Sequence, residues 1–177
     1  MTPTALEERL VALRQDFDRS FARAVAEEQP TELDFLAIRV GGDPYALRLS
    51  DVRRLYADSR LVRAPSLLPE LLGVCGFRSV LTPVYDLAPL LGYAAGSNAR
   101  WLVVAENPAP IAFAFAEFEF HLRVSPEHVS SAEPSGAAVA VGGVVQNGGI
   151  TRTLLRLPAL IAGLAQRIKA FGPSQER

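Results

Sequence analysis

Two short apolar runs separated by a tight turn stand at the centre of the chain. Residues 71–75 and 80–85 have the length and composition of β-strands, and Arg78 lies in the turn between them. This stretch predicts a β-hairpin with one cation at its tip. The rest of the chain is organised around it, with a second, similar half after it.

Other short runs extend the same pattern. Residues 33–40 alternate with a period of two, and the Gly-Gly-Asp-Pro turn at 41–44 leads into a further strand at 45–49. Residues 139–145 and 150–155 flank an Asn-Gly-Gly turn that suits positive φ values. Many short strands with few helices between them predict a mainly-β fold, a sandwich or barrel dominated by antiparallel hairpins.

The strand-like stretch 111–124 changes phase in its middle. Phe113 and Phe115 share one parity, whereas Phe118 and Phe120 share the other. A one-residue slip sends side chains to the opposite face of a sheet, so we expect a bulge or bend near Ala116.

Helical periodicity is strongest near the two ends of the chain. Residues 4–28 carry apolar side chains spaced by three or four, which predicts an amphipathic helix whose apolar face packs on its own domain or on a partner. A short helix is predicted over 86–91 and a final helix over 159–171. Residues 52–55 are predicted to form one more helical turn, capped by the preceding polar residues.

Composition narrows the classes of function. The formal net charge of −1 provides no broad positive field for nucleic acid or acidic lipid. No apolar run approaches the roughly 18 residues that span a bilayer, and the first residues lack a secretory signal. A cytoplasmic protein without direct membrane insertion is expected, with the single cysteine, Cys75, in the core.

The sequence contains no pattern that predicts catalysis. His121 and His128 are the only imidazoles, and no further His or Cys joins them at metal-ligand spacing. The glycine pairs at 41–42 and 148–149 lack the Lys-Ser/Thr of a phosphate-binding loop. We therefore expect no enzyme activity, no cofactor and no metal. A small-molecule-binding barrel is a remote alternative that depends on four aromatic residues, which core packing also explains: Phe113, Phe115, Phe118 and Phe120.

Binding of another protein is the class of function that remains, and Arg78 is the strongest candidate for a contact residue. Arginine forms bidentate contacts to carboxylates and is enriched at interaction hot spots. Phe77 and Val80 flank it and supply apolar contact area. The alternative is an ordinary solvated cation at a turn.

These residues resemble the CheW-like chemotaxis adaptor domain. The resemblance is carried by Tyr-Ala-Leu-Arg-Leu-Ser-Asp-Val at 45–52, Ala-Pro at 64–65 and Leu-Gly-Val-Cys-Gly-Phe-Arg-Ser-Val-Leu-Thr-Pro-Val-Tyr-Asp-Leu at 72–87. It covers about residues 33–171, and it implies two small five-stranded SH3-like β-barrels packed together. The expected division is an N-terminal helix and linker at 1–30, the CheW-like domain at 31–172 and a frayed tail at 173–177.

The resemblance also implies a function. CheW-like proteins are non-catalytic adaptors of bacterial chemosensory signal transduction. They join the regulatory domain of a CheA-type histidine kinase to the cytoplasmic tip of methyl-accepting chemoreceptors, at receptor arrays on the inner face of the membrane. When the residues are matched one by one, the resemblance implies receptor contacts at Arg78, Phe77, Val80 and Arg54. It also implies contacts with the kinase or another partner at Val52 and Gly73.

Three departures from the family pattern lie close to these residues. Gly76 stands where Asn is usual, Ser79 where Gly is usual, and Arg54 where Glu is frequent. The last reverses a charge on the expected contact surface. An alternative is therefore an accessory protein that binds receptors or other CheW-like proteins without coupling well to the kinase.

Overall fold

The computed structural model describes residues 32–95, 99–106, 109–131 and 140–171, without the side chains of Glu106 and Phe171. The predicted N-terminal helix and the predicted frayed tail lie outside these residues, and the domain boundaries stay predictions. Within the described residues, strands account for most of the regular structure, which confirms the mainly-β prediction.

The strands are short and follow one another closely. They are β1 (Leu33–Val40), β2 (Asp43–Arg48), β3 (Arg54–Ala57), β4 (Leu71–Phe77), β5 (Val80–Asp86), β6 (Trp101–Glu106), β7 (Pro110–Phe115), β8 (Glu117–Val124), β9 (Val129–Ser131), β10 (Val141–Asn147) and β11 (Ile150–Leu155). The helices are α1 (Leu87–Leu90) and α2 (Leu157–Phe171), with single 3₁₀ turns at Leu49–Asp51 and Pro126–His128.

The strands form two sheets. Sheet I has six strands in the order β8-β1-β2-β11-β10-β9, and sheet II has five in the order β3-β6-β7-β5-β4. The prediction of two small β subdomains is confirmed. Sheet I has one strand more than the predicted five because Val129–Ser131 pairs with the outer edge of β10.

The two sheets are interleaved along the chain. Sheet II consists of the consecutive strands β3 to β7, whereas sheet I joins β1 and β2 to the last four strands. The expectation of two consecutive halves is therefore wrong. The cause is a long-range parallel pairing of Thr153, Leu154 and Leu155 with β2, which no local pattern reveals.

The phase change near Ala116 marks the crossover between the sheets. Ala116 separates β7, which belongs to sheet II, from β8, which belongs to sheet I. Beyond the bend, Leu122 and Val124 of β8 lie in the core of sheet I, whereas Phe113 and Phe115 of β7 lie in the core shared by the two sheets. The bend predicted at this position is confirmed.

Both sheets follow one plan. Each contains a tight hairpin, β4–β5 or β10–β11, whose second strand pairs in parallel with an inner strand and then leads into a helix. Gly73 and Thr82 of the first hairpin correspond in this plan to Gly143 and Arg152 of the second. The two halves are thus similar in architecture, although they are not consecutive in sequence.

Each sheet encloses a small apolar core of its own, and the two sheets share a larger one. The core of sheet I contains Phe35, Ala37, Ala46, Leu122, Val124, Val145 and Leu154, and that of sheet II contains Cys75, Val84, Leu102, Val104, Ala112 and Ala114. The shared core combines residues of both sheets with α2, among them Leu36, Ile38, Phe113, Phe115, Leu160 and Leu164. Inner strands are therefore apolar on both faces, as in β1 and β7.

Ring stacking closes sheet II on itself. Tyr56 of β3 and Phe77 of β4 lie on the two end strands of the sheet, and their rings stack with centroids 4.4 Å apart. The sheet therefore curls into a barrel-like form, as the resemblance implies. Cys75 is buried inside it, as predicted.

The helices agree with the sequence pattern except at one turn. Asp86 caps α1 by accepting a hydrogen bond from the Ala88 amide at 3.0 Å. The helical turn predicted over 52–55 is wrong, because Arg54 and Leu55 pair with β6 as a strand. Neither α1 nor α2 is long and apolar enough to cross a membrane, nor is any other helix in the part of the chain that the structure describes.

Candidate partner-binding site

Arg78 lies at the tip of the β4–β5 hairpin. The hairpin links Phe77 to Val80 through the two-residue turn Arg78-Ser79, in which both residues have positive φ values of 47° and 67°. This conformation is that of a type I′ turn, whose twist suits the flanking strands. The predicted hairpin with an exposed cation at its tip is confirmed.

The matching hairpin of sheet I has glycines in its turn, which adopt positive φ without steric strain. Gly148 and Gly149 occupy the turn between β10 and β11 with φ values of 56° and 80°. Non-glycine residues in the left-handed region cost about 1–2 kcal/mol each. Backbone strain of this kind concentrates at functional sites, which favours a role for the Arg78 side chain over a purely local role in the turn.

The four residues predicted to contact the receptor line one pocket. Arg54 approaches it from β3, and Phe77, Arg78 and Val80 approach it from the hairpin. The pocket has a volume of about 130 Å³, and its lining comprises Arg53, Arg54, Tyr56, Phe77, Arg78, Val80, Thr82, Val104 and Pro110. We call it the Arg78 pocket.

The walls of the Arg78 pocket are mainly apolar. The stacked rings of Tyr56 and Phe77 form one side, and Val104 and Pro110 add aliphatic surface. Thr82 is fully buried, and its hydroxyl has no hydrogen-bond partner among the described residues. A buried hydroxyl without a hydrogen-bond partner lowers the stability of the fold.

Arginines give the pocket a positive charge. Arg54 is half-buried and Arg78 is exposed, and neither side chain forms an ion pair or a hydrogen bond with another described residue. Arg53 is the third arginine of the lining, and its amide donates to the Val104 carbonyl at 2.8 Å, which fixes the start of β3 against β6. None of the described lining residues is acidic.

Val52 and Gly73, predicted to contact the kinase or another partner, are not among the lining residues of the pocket. Val52 is half-buried and packs against the shared core. Gly73 is buried, with a φ of 145°, and a Cβ atom there would overlap the backbone of Val62. The structure therefore gives Gly73 a framework role and leaves the predicted contacts as predictions.

Sequence reasoning missed several lining residues, most clearly Arg53 and Tyr56. Tyr56 shares a face with Arg54, because side chains two residues apart on a strand point the same way. That signal was hidden because residues 52–55 were predicted to be helical. Thr82, Val104 and Pro110 reach the pocket only through the fold of sheet II.

The four phenylalanines behind the small-molecule alternative do not share a cavity. Phe113 and Phe115 are buried in the shared core, and Phe118 packs on Trp101 with ring centroids 5.2 Å apart. Phe120 is 43% exposed. Core packing and surface exposure account for these four side chains, which therefore give no support to a ligand-binding barrel.

The corresponding end of sheet I is filled by a buried ion cluster. Arg152, which matches Thr82, is 1% exposed, and its Nη1 forms an ion pair with Glu119 Oε2 at 2.5 Å. Arg39 Nε donates to Glu119 Oε1 at 2.8 Å, and the Arg152 guanidinium lies 5.2 Å from the Phe120 ring centroid. Thr82 is much smaller than Arg152, which helps to leave the matching space in sheet II open.

The fold consists of two small β-barrels packed together, and the Arg78 pocket lies on the barrel formed by sheet II. Residues 34–164 match the family model of the CheW-like domain. The chain therefore belongs to the CheW-like domain family, and its role is that of a chemotaxis adaptor or scaffold. Members of this family are non-catalytic scaffolds.

A solved structure supports the fold. The scaffolding protein TtCheW from Thermoanaerobacter tengcongensis is similar with a TM-score of 0.66 and 14% sequence identity, over 72% of this chain and 90% of TtCheW. At this identity the likeness establishes the fold alone. Comparison with curated proteins gave no significant match.

Proposed function

We propose that this chain is a cytoplasmic adaptor that couples chemoreceptors to a CheA-type histidine kinase by binding alone. One surface contacts the cytoplasmic tip of a receptor, and another contacts the regulatory domain of the kinase. The chain thereby transmits the state of the receptor to the kinase at arrays on the inner face of the membrane. It carries out no catalysis and uses no cofactor.

The convergence of the predicted receptor-contacting residues carries this proposal. Arg54, Phe77, Arg78 and Val80 come from separate stretches of sequence and line the same pocket. A cation beside exposed apolar area has the composition of an interaction hot spot. The strained turn presents Arg78 on a short, hydrogen-bonded hairpin, which limits the conformational entropy lost on binding.

A second contact surface is proposed around Val62. Its side chain is 62% exposed, and its backbone pairs with Val74 through hydrogen bonds of 2.9 and 2.8 Å. This pairing requires the absence of a side chain at Gly73. Gly73 would thus influence partner binding by positioning Val62 rather than by touching the partner.

Substitution of Arg78 by glycine tests the proposal, because it is expected to raise thermal stability while it weakens receptor binding. Arg78→Gly relieves the positive φ and is expected to raise the thermal unfolding temperature, while it weakens binding to a chemoreceptor cytoplasmic fragment about tenfold or more. Arg60→Gly removes an exposed arginine away from the pocket and serves as the control. Calorimetric binding of wild type and both variants would refute the assignment if Arg78→Gly bound as tightly as wild type.

The charge reversal at Arg54, which no described residue neutralises, favours one second candidate, an accessory adaptor that binds receptors or other CheW-like proteins and couples poorly to the kinase. Titration of the full chain with the isolated kinase regulatory domain separates the two functions. Saturable binding supports coupling to the kinase. Receptor binding without detectable kinase binding supports the accessory function.

A further inference from the structure

We infer that the group seated in the Arg78 pocket is a carboxylate, carried by an acidic side chain of the receptor tip. The inference rests on the proposed function and specifies the chemistry of the partner at this site. It follows from the charge, the size and the rigidity of the pocket.

The pocket carries a positive charge that no described residue neutralises. Arg54 and Arg78 face the same small pocket, and no described residue neutralises either of them. Two cations that converge without a counter-charge repel each other, and burial of either one by a partner requires compensation. An apolar or basic partner group would leave both guanidinium groups desolvated and unpaired.

The pocket is small. A volume of about 130 Å³ is enough for the end of one partner side chain. The stacked Tyr56 and Phe77 rings offer an apolar wall for the methylene groups of an acidic side chain, while the arginines receive its carboxylate.

The backbone on both sides of the pocket is held in place. The backbone of Arg54 is held by the pairing of β3 with β6, and that of Arg78 by the type I′ turn. Guanidinium groups form planar, bidentate contacts with carboxylates, and a fixed backbone reduces the entropy lost when they do so. The pocket is therefore built to receive an anion at a defined place, whereas dispersed surface cations would only attract one.

A charge-swap experiment tests the inference. Arg54→Glu and Arg78→Glu are each expected to weaken binding to a chemoreceptor cytoplasmic fragment about tenfold or more, and higher salt should weaken wild-type binding. Arg60→Glu carries the same charge change at an exposed position outside the pocket and should remain within about twofold of wild type. Arg54→Gln, which adds no negative charge, should give an intermediate loss.

The receptor supplies the complementary half of the test. Each Asp or Glu of the receptor tip is changed to Lys in turn, and one such change is expected to weaken wild-type binding and to restore binding to Arg54→Glu or Arg78→Glu. The inference is overturned if both variants bind as Arg60→Glu does, if they bind more tightly than wild type, or if no receptor change restores binding. Absence of receptor binding by the wild-type chain overturns the proposed function itself, and this inference with it.

Discussion

Gly73 and Gly143 hold the same place in the two hairpins of the fold. Both are buried with positive φ, 145° and 132°, and each faces a backbone carbonyl, that of Val62 or that of Ser130. The absence of a side chain allows a neighbouring segment to pair along the outer edge of β4 or β10. The two barrels are therefore built on the same close backbone approach.

Alanine at either glycine should destabilise the domain. Gly73→Ala and Gly143→Ala each introduce a Cβ that overlaps a backbone carbonyl, in a conformation unfavourable for any L side chain. We expect the free energy of unfolding to fall by at least about 2 kcal/mol in each case. Gly76→Ala is the matched control, because a Cβ there meets nothing within 4 Å and its φ is not positive. Denaturant titration measures the free energy of unfolding of each variant. Equal stability of Gly73→Ala and Gly76→Ala would contradict the prediction.

The turn at Arg78-Ser79 gives a prediction of opposite sign. Ser79 has a φ of 67°, so Ser79→Gly should stabilise the chain by about 1 kcal/mol. Gly149→Ser makes the reverse exchange in the matching turn, where φ is 80° and a Cβ has open space, and should destabilise by a similar amount. Thermal unfolding measures both, and shifts of the same sign would rule out the conformational explanation.

The buried ion cluster of sheet I should make stability sensitive to acid. Burial alone would raise the pKa of Glu119, but the hydrogen bond from Arg39 and the charge of Arg152 outweigh it and lower that pKa. A lowered pKa gives stability that is fully present above the ordinary glutamate pKa, about 4.3, and is lost as pH falls through the lower folded value. Glu119→Gln should cost about 3 kcal/mol at neutral pH, since it leaves Arg152 buried with less compensation.

Removing the charges of Glu119 and Arg152 together provides the control. The double variant Glu119→Gln, Arg152→Met should be less destabilised than Glu119→Gln alone, because no buried cation remains. Its stability should also respond less to pH between neutral and acidic solution. A double variant as unstable as the sum of the single variants would show that the two side chains act independently.

Tyr93 ties the segment after α1 to the β1–β2 hairpin. Its hydroxyl donates to Asp43 and lies 2.8 Å from the Tyr45 hydroxyl, which raises the pKa of Tyr93 mainly through the Asp43 hydrogen bond. Tyr93→Phe should therefore lower the free energy of unfolding by about 1 kcal/mol. A raised pKa means that this contribution is complete below the ordinary tyrosine pKa and disappears as pH rises through the folded value. Unfolding at neutral and strongly alkaline pH tests it, and a difference from wild type that grew with pH would contradict the assignment.

Local features of the fold were predictable from the sequence. The hairpins follow from short apolar runs around turn residues, and the Asn-Gly-Gly turn adopts the positive φ values that glycine favours. The final helix predicted over 159–171 is present as α2, and Leu160 and Leu164 lie on its buried face. In each case the residues that determine the structure are neighbours in sequence.

Features that depend on distant residues were not predictable in this way. The interleaving of the sheets depends on the pairing of β11 with β2, and the strand at Arg54–Ala57 depends on its pairing with β6. The second pairing overrides a local capping signal, which is why Arg53 and Tyr56 were missed as lining residues. Arg78 was predictable as a candidate contact residue because its turn is formed by neighbours in sequence. The pocket beside it was not, because its lining comes from several strands of sheet II.

The interleaved order of the strands also determines which sheet can be completed first during synthesis. All five strands of sheet II emerge from the ribosome before β8, so that barrel has its full complement first. The β1–β2 hairpin is made earlier still, but it must wait for the last strand, β11, to cover the edge of β2. A chain truncated before Ile150 would leave this apolar edge open to pairing with other molecules. Nonsense or frameshift mutations near the end of the gene are thus expected to cause aggregation rather than a shortened, partly active adaptor.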